Sequence, residues 1–375
     1  MKIAMVSVHA AVHVAELSAA LARRGHNVSV FNRRAELDAP ECVEMPEGYT
    51  VFHVAEGAPE PVPEDDLLKY MGPFAQFVAT RWAVDRPDVT HAWGWMSGIP
   101  TQLAARHLGL PAVQTFDGLM VPQELAHLRA TVARTANWVV ANWTDEVFEL
   151  MRMGRSRGTI SVIPCGVDEV LFTPAGPHAA KGAEHRIVSV GRLLPHKGFD
   201  ILVRALPMIP RAELVIIGGP ESPNLDSDPE ACRLRDLAGR LGVARRLHLY
   251  GSVDRADMPA LLRSADVVVC SSAYDPSGAV ALEAMACGVP MVASAVGAMV
   301  DTVVHDVTGR LVPPKDPERL ADAINLLLRD SFLRRSFGAA GRDRAKARYS
   351  WDRVAADTLR IYDTLDRYPR VTTPA

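Results

Sequence analysis

Two stretches of the chain combine residue types and spacing that suit the handling of a phosphorylated ligand. The first is Val190-Gly191-Arg192-Leu193-Leu194-Pro195-His196-Lys197-Gly198, set between an apolar strand-like run and a helix-like one. Gly191 and Gly198 allow close backbone approach. Arg192 and Lys197 stand five positions apart and can converge on one anion. A guanidinium fork beside an ammonium point charge suits a diphosphate. Such a loop can equally be a solvated basic turn, but its place at a strand's carboxyl end favours ligand contact.

The second stretch, Tyr274 to Pro290, reads YDPSGAVALEAMACGVP. Pro276 and Gly278 shape a turn, and a helix begins near Ser277 or Gly278. Its free N–H groups and positive dipole end can receive phosphate oxygens or sugar hydroxyls. Asp275 precedes that helix, and Glu283 lies about two turns along it. Carboxylates accept hydrogen bonds from vicinal hydroxyls such as those of ribose or a hexose. Asp275 has a second reading, as the cap of the helix. Glu283 stands in an otherwise apolar helix, where an unpaired carboxylate costs on the order of several kcal/mol.

The elements that would position these residues alternate along the chain. Lys2–Ser7 reads as a buried strand. Val14, Leu17 and Leu21 recur at helical spacing, and Asn27–Phe31 is the next strand. This βαβ opening places the chain among α/β folds with parallel sheets. Strand signals follow at Val89–Ala92, Ala112–Thr115, Trp138–Ala141 and Thr159–Ile163. Helix signals lie at Ser97–Leu108 and Thr144–Met153. A second series begins at Arg186–Val190 and continues at Glu213–Ile217, Leu247–Leu249, Val267–Cys270 and Met291–Ser294. We expect two Rossmann-like domains, 1–168 and 183–350, joined by a Pro-, Gly- and Ala-rich linker at 169–182. A C-terminal helix in 351–375 would pack back on the first domain. A cleft between two such domains is the expected place for a ligand.

Bulk composition narrows the function classes. With 375 residues, two domains are expected. A formal net charge of −3 gives no basic field for nucleic acid or anionic membrane. Five cysteines, with no CxxC pair, point to neither a disulfide framework nor a zinc site, and a reduced cytoplasmic setting is expected. The apolar stretch from Ala279 to Val300 carries Glu283 and a Gly-Val-Pro break, which argues against a membrane span. No GxGxxG opens the first helix, so a dinucleotide oxidoreductase is not indicated. Neither a metal nor a bound cofactor is expected.

The paired motifs GRLLPHKG and DPSGAVALEAMACGVP resemble family 4 of the retaining glycosyltransferases, which have the GT-B fold. Around them IPCGVDEVLFTP, ELVIIGGP, LYGSV and ADVVVCSSAYDPSG resemble the interdomain segment and the donor-domain strands. MKIAMVS, HVAELSAALARRGH and HAWGWMSG resemble the N-terminal domain of the sucrose-phosphate-synthase-like and D-inositol-3-phosphate glycosyltransferase branch. The resemblance covers nearly the whole chain. It implies transfer of a hexosyl group from a nucleotide diphosphate sugar, UDP-sugar favoured, to a small hydroxylated acceptor with retained configuration. Residue by residue, it implies that Arg192 and Lys197 neutralise the diphosphate and that Glu283 binds the ribose. Asp275 would face the transferred sugar, and Gly191 would line the donor site. Gly278 and Ala279 would offer N–H groups, and Val253 would lie where the base is read.

The sequence departs from that pattern at several places. The turn Val8-His9-Ala10-Ala11 is short and lacks the usual Gly-Gly. Asp117 replaces a His that contacts the transferred sugar. Asp275 replaces the first Glu of E-x7-E, and Ser277 an aromatic residue. Trp93 stands for a second His, and Trp143 is equally unusual. His9, Trp93, Trp95 and Trp143 would therefore line the acceptor side with Asp117, although each Trp can also be core. An amine-bearing acceptor would suit Trp faces and an Asp, a setting found in secondary metabolism. The alternative is a catalytically degenerate homologue that binds nucleotide or sugar and serves as a partner protein. If Asp117 contacts the sugar, Asp117→Asn slows transfer several-fold more than it weakens nucleotide binding. Equal losses in turnover and in titrated affinity would make Asp117 structural.

Overall fold

The computed structural model describes residues 1–367 apart from 10, 58, 61, 63, 117 and 119–122. Asp117 and Ala10 therefore lie outside the described residues. The chain forms two units, 1–165 together with the segment from Trp351 onward, and 166–350.

The first unit is built on β1 (Lys2–Val6), β2 (Asn27–Arg33), β3 (Cys42–Glu44), β4 (Thr50–Val54), β5 (Val89–Trp93), β6 (Ala112–Thr115), β7 (Trp138–Ala141) and β8 (Ile160–Val162). Their order in the sheet is β3-β4-β2-β1-β5-β6-β7-β8. Every pairing is parallel except β3 with β4. The central strands are apolar on successive residues because helices cover both faces of a parallel sheet. Ile3, for example, is paired with Val28 on one side and Val89 on the other. The order reverses at β1 and β5, which makes their carboxyl ends a topological switch point.

Helix Trp351–Arg367 belongs to this unit and packs on helix Val12–Arg23, with Arg23 bonded to Asp352. Its Tyr362 hydroxyl lies 2.6 Å from His91 Nδ1, and His91 Nε2 lies 2.7 Å from Thr115 Oγ1. A buried side chain on β5 thus ties the last helix to the end of β6. Burial pushes the His91 imidazole down to about 3, so the ring is neutral, one nitrogen donating and the other accepting.

The second unit carries β9 (His185–Val190), β10 (Ala212–Ile217), β11 (Leu247–Leu249), β12 (Val267–Cys270), β13 (Met291–Ser294) and β14 (Gly309–Val312). Their order is β11-β10-β9-β12-β13-β14, all parallel, with the switch point at β9 and β12. One face buries Ile187, Leu214, Ile216 and Val269 beneath Phe199, Leu202, Leu234 and Ile324. The stretch 169–182, read from its composition as a linker, is bonded into this unit. Arg263 donates to the carbonyls of Thr173 and Pro177, Ala179 N–H to Ala260, and Gly182 N–H to Glu213 Oε1.

Several elements begin or end within a residue or two of the positions expected from sequence, among them β6, β7, β11, β12 and β13. The short strands β3, β4 and β14 were not anticipated.

A neutral buried histidine has a linkage consequence. The unfolded chain protonates His91 near its ordinary value of about 6.5, while the folded chain does not until about 3. The associated stability is intact above the higher value and is lost progressively as pH falls toward the lower, at up to about 1.4 kcal/mol per pH unit. In His91→Gln, the unfolding free energy measured by denaturant titration should fall less steeply with acidification than in wild type. Parallel slopes would contradict a neutral buried ring.

Candidate active site

Strands β9 and β12 are neighbours, with Val267 opposite Ile187, so the loops that follow them emerge at one edge of the sheet. Those loops are the two chemistry-bearing stretches. Gly198, at φ 68°, lets them meet: a Cβ there would stand 2.2 Å from the Ser271 carbonyl oxygen. Around that contact Ala273 N–H donates to the His196 carbonyl at 2.8 Å, and Ser271 Oγ donates to the Gly198 carbonyl at 2.8 Å. Gly191 N–H donates to Ile217 at 2.9 Å, fixing the loop to the end of β10.

This docking sets the charges. Arg192 is exposed, whereas the Lys197 side chain is only 20% exposed, with Nζ 3.6 Å from Asp275 Oδ2. His196 is held below its ordinary value, first by burial and then by the positive charges of Lys197 and Arg192. The imidazole is therefore neutral at neutral pH, and a local positive field surrounds it.

Asp275 is 6% exposed and turned into its own loop. Its Oδ1 accepts from Gly278 N–H at 2.8 Å and from Ser277 N–H at 3.3 Å. Gly297 backs it closely, since a Cβ at that φ of 50° would lie 2.2 Å from the Asp275 carbonyl oxygen. Ala298 N–H donates to the same carbonyl at 2.9 Å. The resemblance has Asp275 facing the transferred sugar. Here its two oxygens cap the turn and pair with Lys197, because a carboxylate one methylene shorter than Glu reaches the loop's own N–H groups. Gly278 N–H is thus occupied, and Ala279 N–H donates to Ser277 Oγ at 3.3 Å, so neither is a free donor.

Glu283 lies on helix Ala279–Ala286, and its side chain is 15% exposed. Burial pushes its carboxyl upward, and Arg255, with Nη1 3.0 Å from Oε1, opposes that shift. The Arg255 guanidinium sits 5.1 Å over the Phe172 ring. Sequence reasoning did not single out Arg255. The available signal was the acid itself, which inside an apolar helix requires a cation. Arg255 is two residues beyond Val253, which is half-buried in the loop after β11. Gly218 N–H to Gly251 at 2.7 Å and Ser252 N–H to Pro220 at 3.2 Å hold that loop against the end of β10.

In the first unit, His9 is exposed on the turn after β1, where Ser7 Oγ donates to its carbonyl and Ser97 Oγ accepts from Val8 N–H at 2.9 Å. Trp93 closes β5 and is 8% exposed. It stacks on His13 with ring centroids 5.7 Å apart, and its buried indole N–H has no hydrogen-bond partner among the described residues. Trp95 fills an apolar cluster with Val8, Met71 and Phe116. Trp143 is 4% exposed in the extended residue before helix Thr144–Arg152. These two indoles are packed core side chains, as expected where a large ring can be covered. The carbonyl of Phe116, the residue before Asp117, accepts from Asn142 Nδ2 at 2.7 Å.

Comparison with known proteins fits these two units. The family model described as Glycosyl transferases group 1 matches residues 176–344, and that described as Glycosyltransferase Family 4 matches 10–171. A D-inositol 3-phosphate glycosyltransferase of Xylanimonas cellulosilytica is 34% identical, covering 96% of this chain and 96% of the relative. This chain belongs to glycosyltransferase family 4. Among solved structures, the enzyme resembles sucrose-phosphate synthase from Thermosynechococcus elongatus, with a TM-score of 0.87 and 28% identity over 97% of this chain and 99% of the other. Anabaena HepE in complex with UDP-glucose shares the fold of this glycosyltransferase at a TM-score of 0.73 and 20% identity, covering 98% and 100%. The glycosyltransferase therefore has the GT-B fold, with two parallel-sheet units.

The contact at Gly198 yields a direct test. Gly198→Ala places a methyl group against a backbone carbonyl in the left-handed region, a conformation costing a non-glycine residue roughly 1–2 kcal/mol before the clash is counted. The variant should melt several degrees lower and lose most transferase activity. Wild-type melting and turnover would mean the loops do not meet there.

Proposed function

We propose that this glycosyltransferase takes a hexosyl group from a UDP-sugar and passes it, with retained anomeric configuration, to a small hydroxylated acceptor. The observation that carries the reading is the docking of the Arg192–Lys197 loop on the Asp275–Glu283 turn and helix. It gathers two cations and a buried carboxylate at one sheet edge. The HepE complex with UDP-glucose supports the choice of base on fold alone.

In this reading the C1–O bond to the diphosphate breaks with its electron pair passing to the phosphate oxygen. Positive charge develops on the sugar ring. Arg192 and Lys197 stabilise the leaving diphosphate, and one placed donor of this kind is commonly worth about 3–4 kcal/mol. The acceptor oxygen attacks C1 from the face the phosphate leaves, and the departing phosphate oxygen takes the acceptor's proton. Lys197 must turn from Asp275 toward the diphosphate or serve both. Glu283 holds the ribose hydroxyls. On the acceptor side, the Trp93 indole N–H beside His13, without a hydrogen-bond partner among the described residues, supports a polar acceptor, and an amine-bearing one suits the Asp at 117.

Calorimetric titration with UDP, GDP, ADP and dTDP tests the donor half. UDP should bind best, and Lys197→Ala should weaken it by about tenfold or more, equivalent to about 1.4 kcal/mol. Glu283→Ala should weaken UDP as well. Preference for another base would replace UDP in this reading, and unchanged affinity in both variants would remove the site assignment.

A further inference from the structure

We infer that Arg255 is a positioning residue for nucleotide binding: it holds the Glu283 carboxylate ionised and fixes one of its oxygens, leaving the other for the ribose. The inference rests on the reading of Glu283 given above.

The geometry supports it from three sides. Glu283 sits on a helix whose other residues are all Ala, Val, Leu or Met, so burial opposes its charge. Arg255 donates from Nη1 to Oε1 of Glu283 and so orients the carboxyl group through one of its two oxygens. The guanidinium is placed over the face of Phe172, itself 1% exposed, which restricts a long side chain that is otherwise 39% exposed. Arg255 also follows Val253 by two residues in the loop after β11. One ion pair therefore links the segment expected to read the base with the acid expected to hold the sugar of the same nucleotide.

No other charge performs this task among the described groups packed around the helix. Lys197 is paired with Asp275. Arg263, on helix Met258–Arg263, donates to the Thr173 and Pro177 carbonyls. Arg344, on helix Ser331–Tyr349, donates to the carbonyls of Asp301 and Thr302. That long helix meets Met285 and Gly288 through Gly341 and Gly338, which bring no charge. Two thiols respond to Glu283. Cys270 is pushed well up by burial, and Cys287 is pushed up to about 12, so both stay neutral. Removing Arg255 therefore leaves a buried carboxyl with no opposing cation, and such a group takes up a proton instead of staying charged.

The test is titration of UDP into the full chain at about pH 6.5, 7.5 and 8.5, comparing Arg255→Gln, Arg255→Lys and Glu283→Gln with wild type. The ratio of variant to wild-type Kd cancels the ionisation of UDP itself. For Arg255→Gln the ratio should be about tenfold at the lowest pH and fall several-fold by the highest, as the unpaired carboxyl ionises. Arg255→Lys keeps the charge but loses the stacked guanidinium, so its ratio should be smaller than that of Arg255→Gln and should not change with pH. Adding Arg255→Gln to Glu283→Gln should cost nothing further. A ratio near one, or one constant with pH, would overturn the role of Arg255. Wild-type affinity in Glu283→Gln would instead overturn the ribose reading. Should Arg255→Gln not fold, carbon-13 NMR of the wild-type Glu283 carboxyl decides: it should be ionised across the pH range of the titrations, and a protonated carboxyl at the middle pH would refute the inference.

Discussion

The contact between Gly198 and the Ser271 carbonyl governs the loop edge of this enzyme's second unit. Parallel strands β9 and β12 deliver two loops to the same edge, but the strands alone do not determine how closely the loops approach. A glycine in the left-handed region removes the atom that would keep them apart. The hydrogen bonds from Ala273 and Ser271 then become available. Lys197 comes within reach of Asp275, and its charge and that of Arg192 add to the burial that keeps His196 neutral. Each of these is weak alone, and all of them follow from one backbone approach.

Electrostatic order in this half is maintained by internal partners. Lys197 rests against Asp275, Asp275 caps the turn that starts the helix, and Glu283 rests against Arg255. Like charges left unopposed at a sheet edge would repel one another and demand counterions. Here each buried charge is matched within the unit. Lys197, Asp275 and Glu283 are consequently held in defined places by partners of their own unit.

Much of this was legible in the residues. Apolar runs such as Val267–Cys270 and Met291–Ser294 can only be buried strands, because both faces are covered, and the structure gives them those boundaries. The GRLLPHKG and DPSGAVALEAMACGVP stretches announced a pair of loops at strand ends. Other features were hidden for physical reasons. β3 and β14 are short edge strands of three and four residues, with little apolar periodicity to read. The cap role of Asp275 was open from its place before the helix, but its pairing with Lys197, 78 positions away, was not. Arg255 lies 28 positions from Glu283, and only folding brings the two together. The tryptophans divided as well: Trp95 and Trp143 are core, while the Trp93 N–H has no hydrogen-bond partner among the described residues.

The first unit is discontinuous in the chain, leaving at Cys165 and resuming at Trp351. Synthesis runs from the N-terminus, so the partner of His91 on helix Trp351–Arg367 emerges only after all of residues 166–350 have been made. Until then the nascent first unit carries an exposed flank on helix Val12–Arg23 and an incompletely bonded imidazole in its sheet. The second unit, contiguous from Gly166 to Ser350, can reach its native contacts first. The first unit is thus complete only once the last residues of the second have been made, and a chain cut before Trp351 lacks the helix that bonds His91.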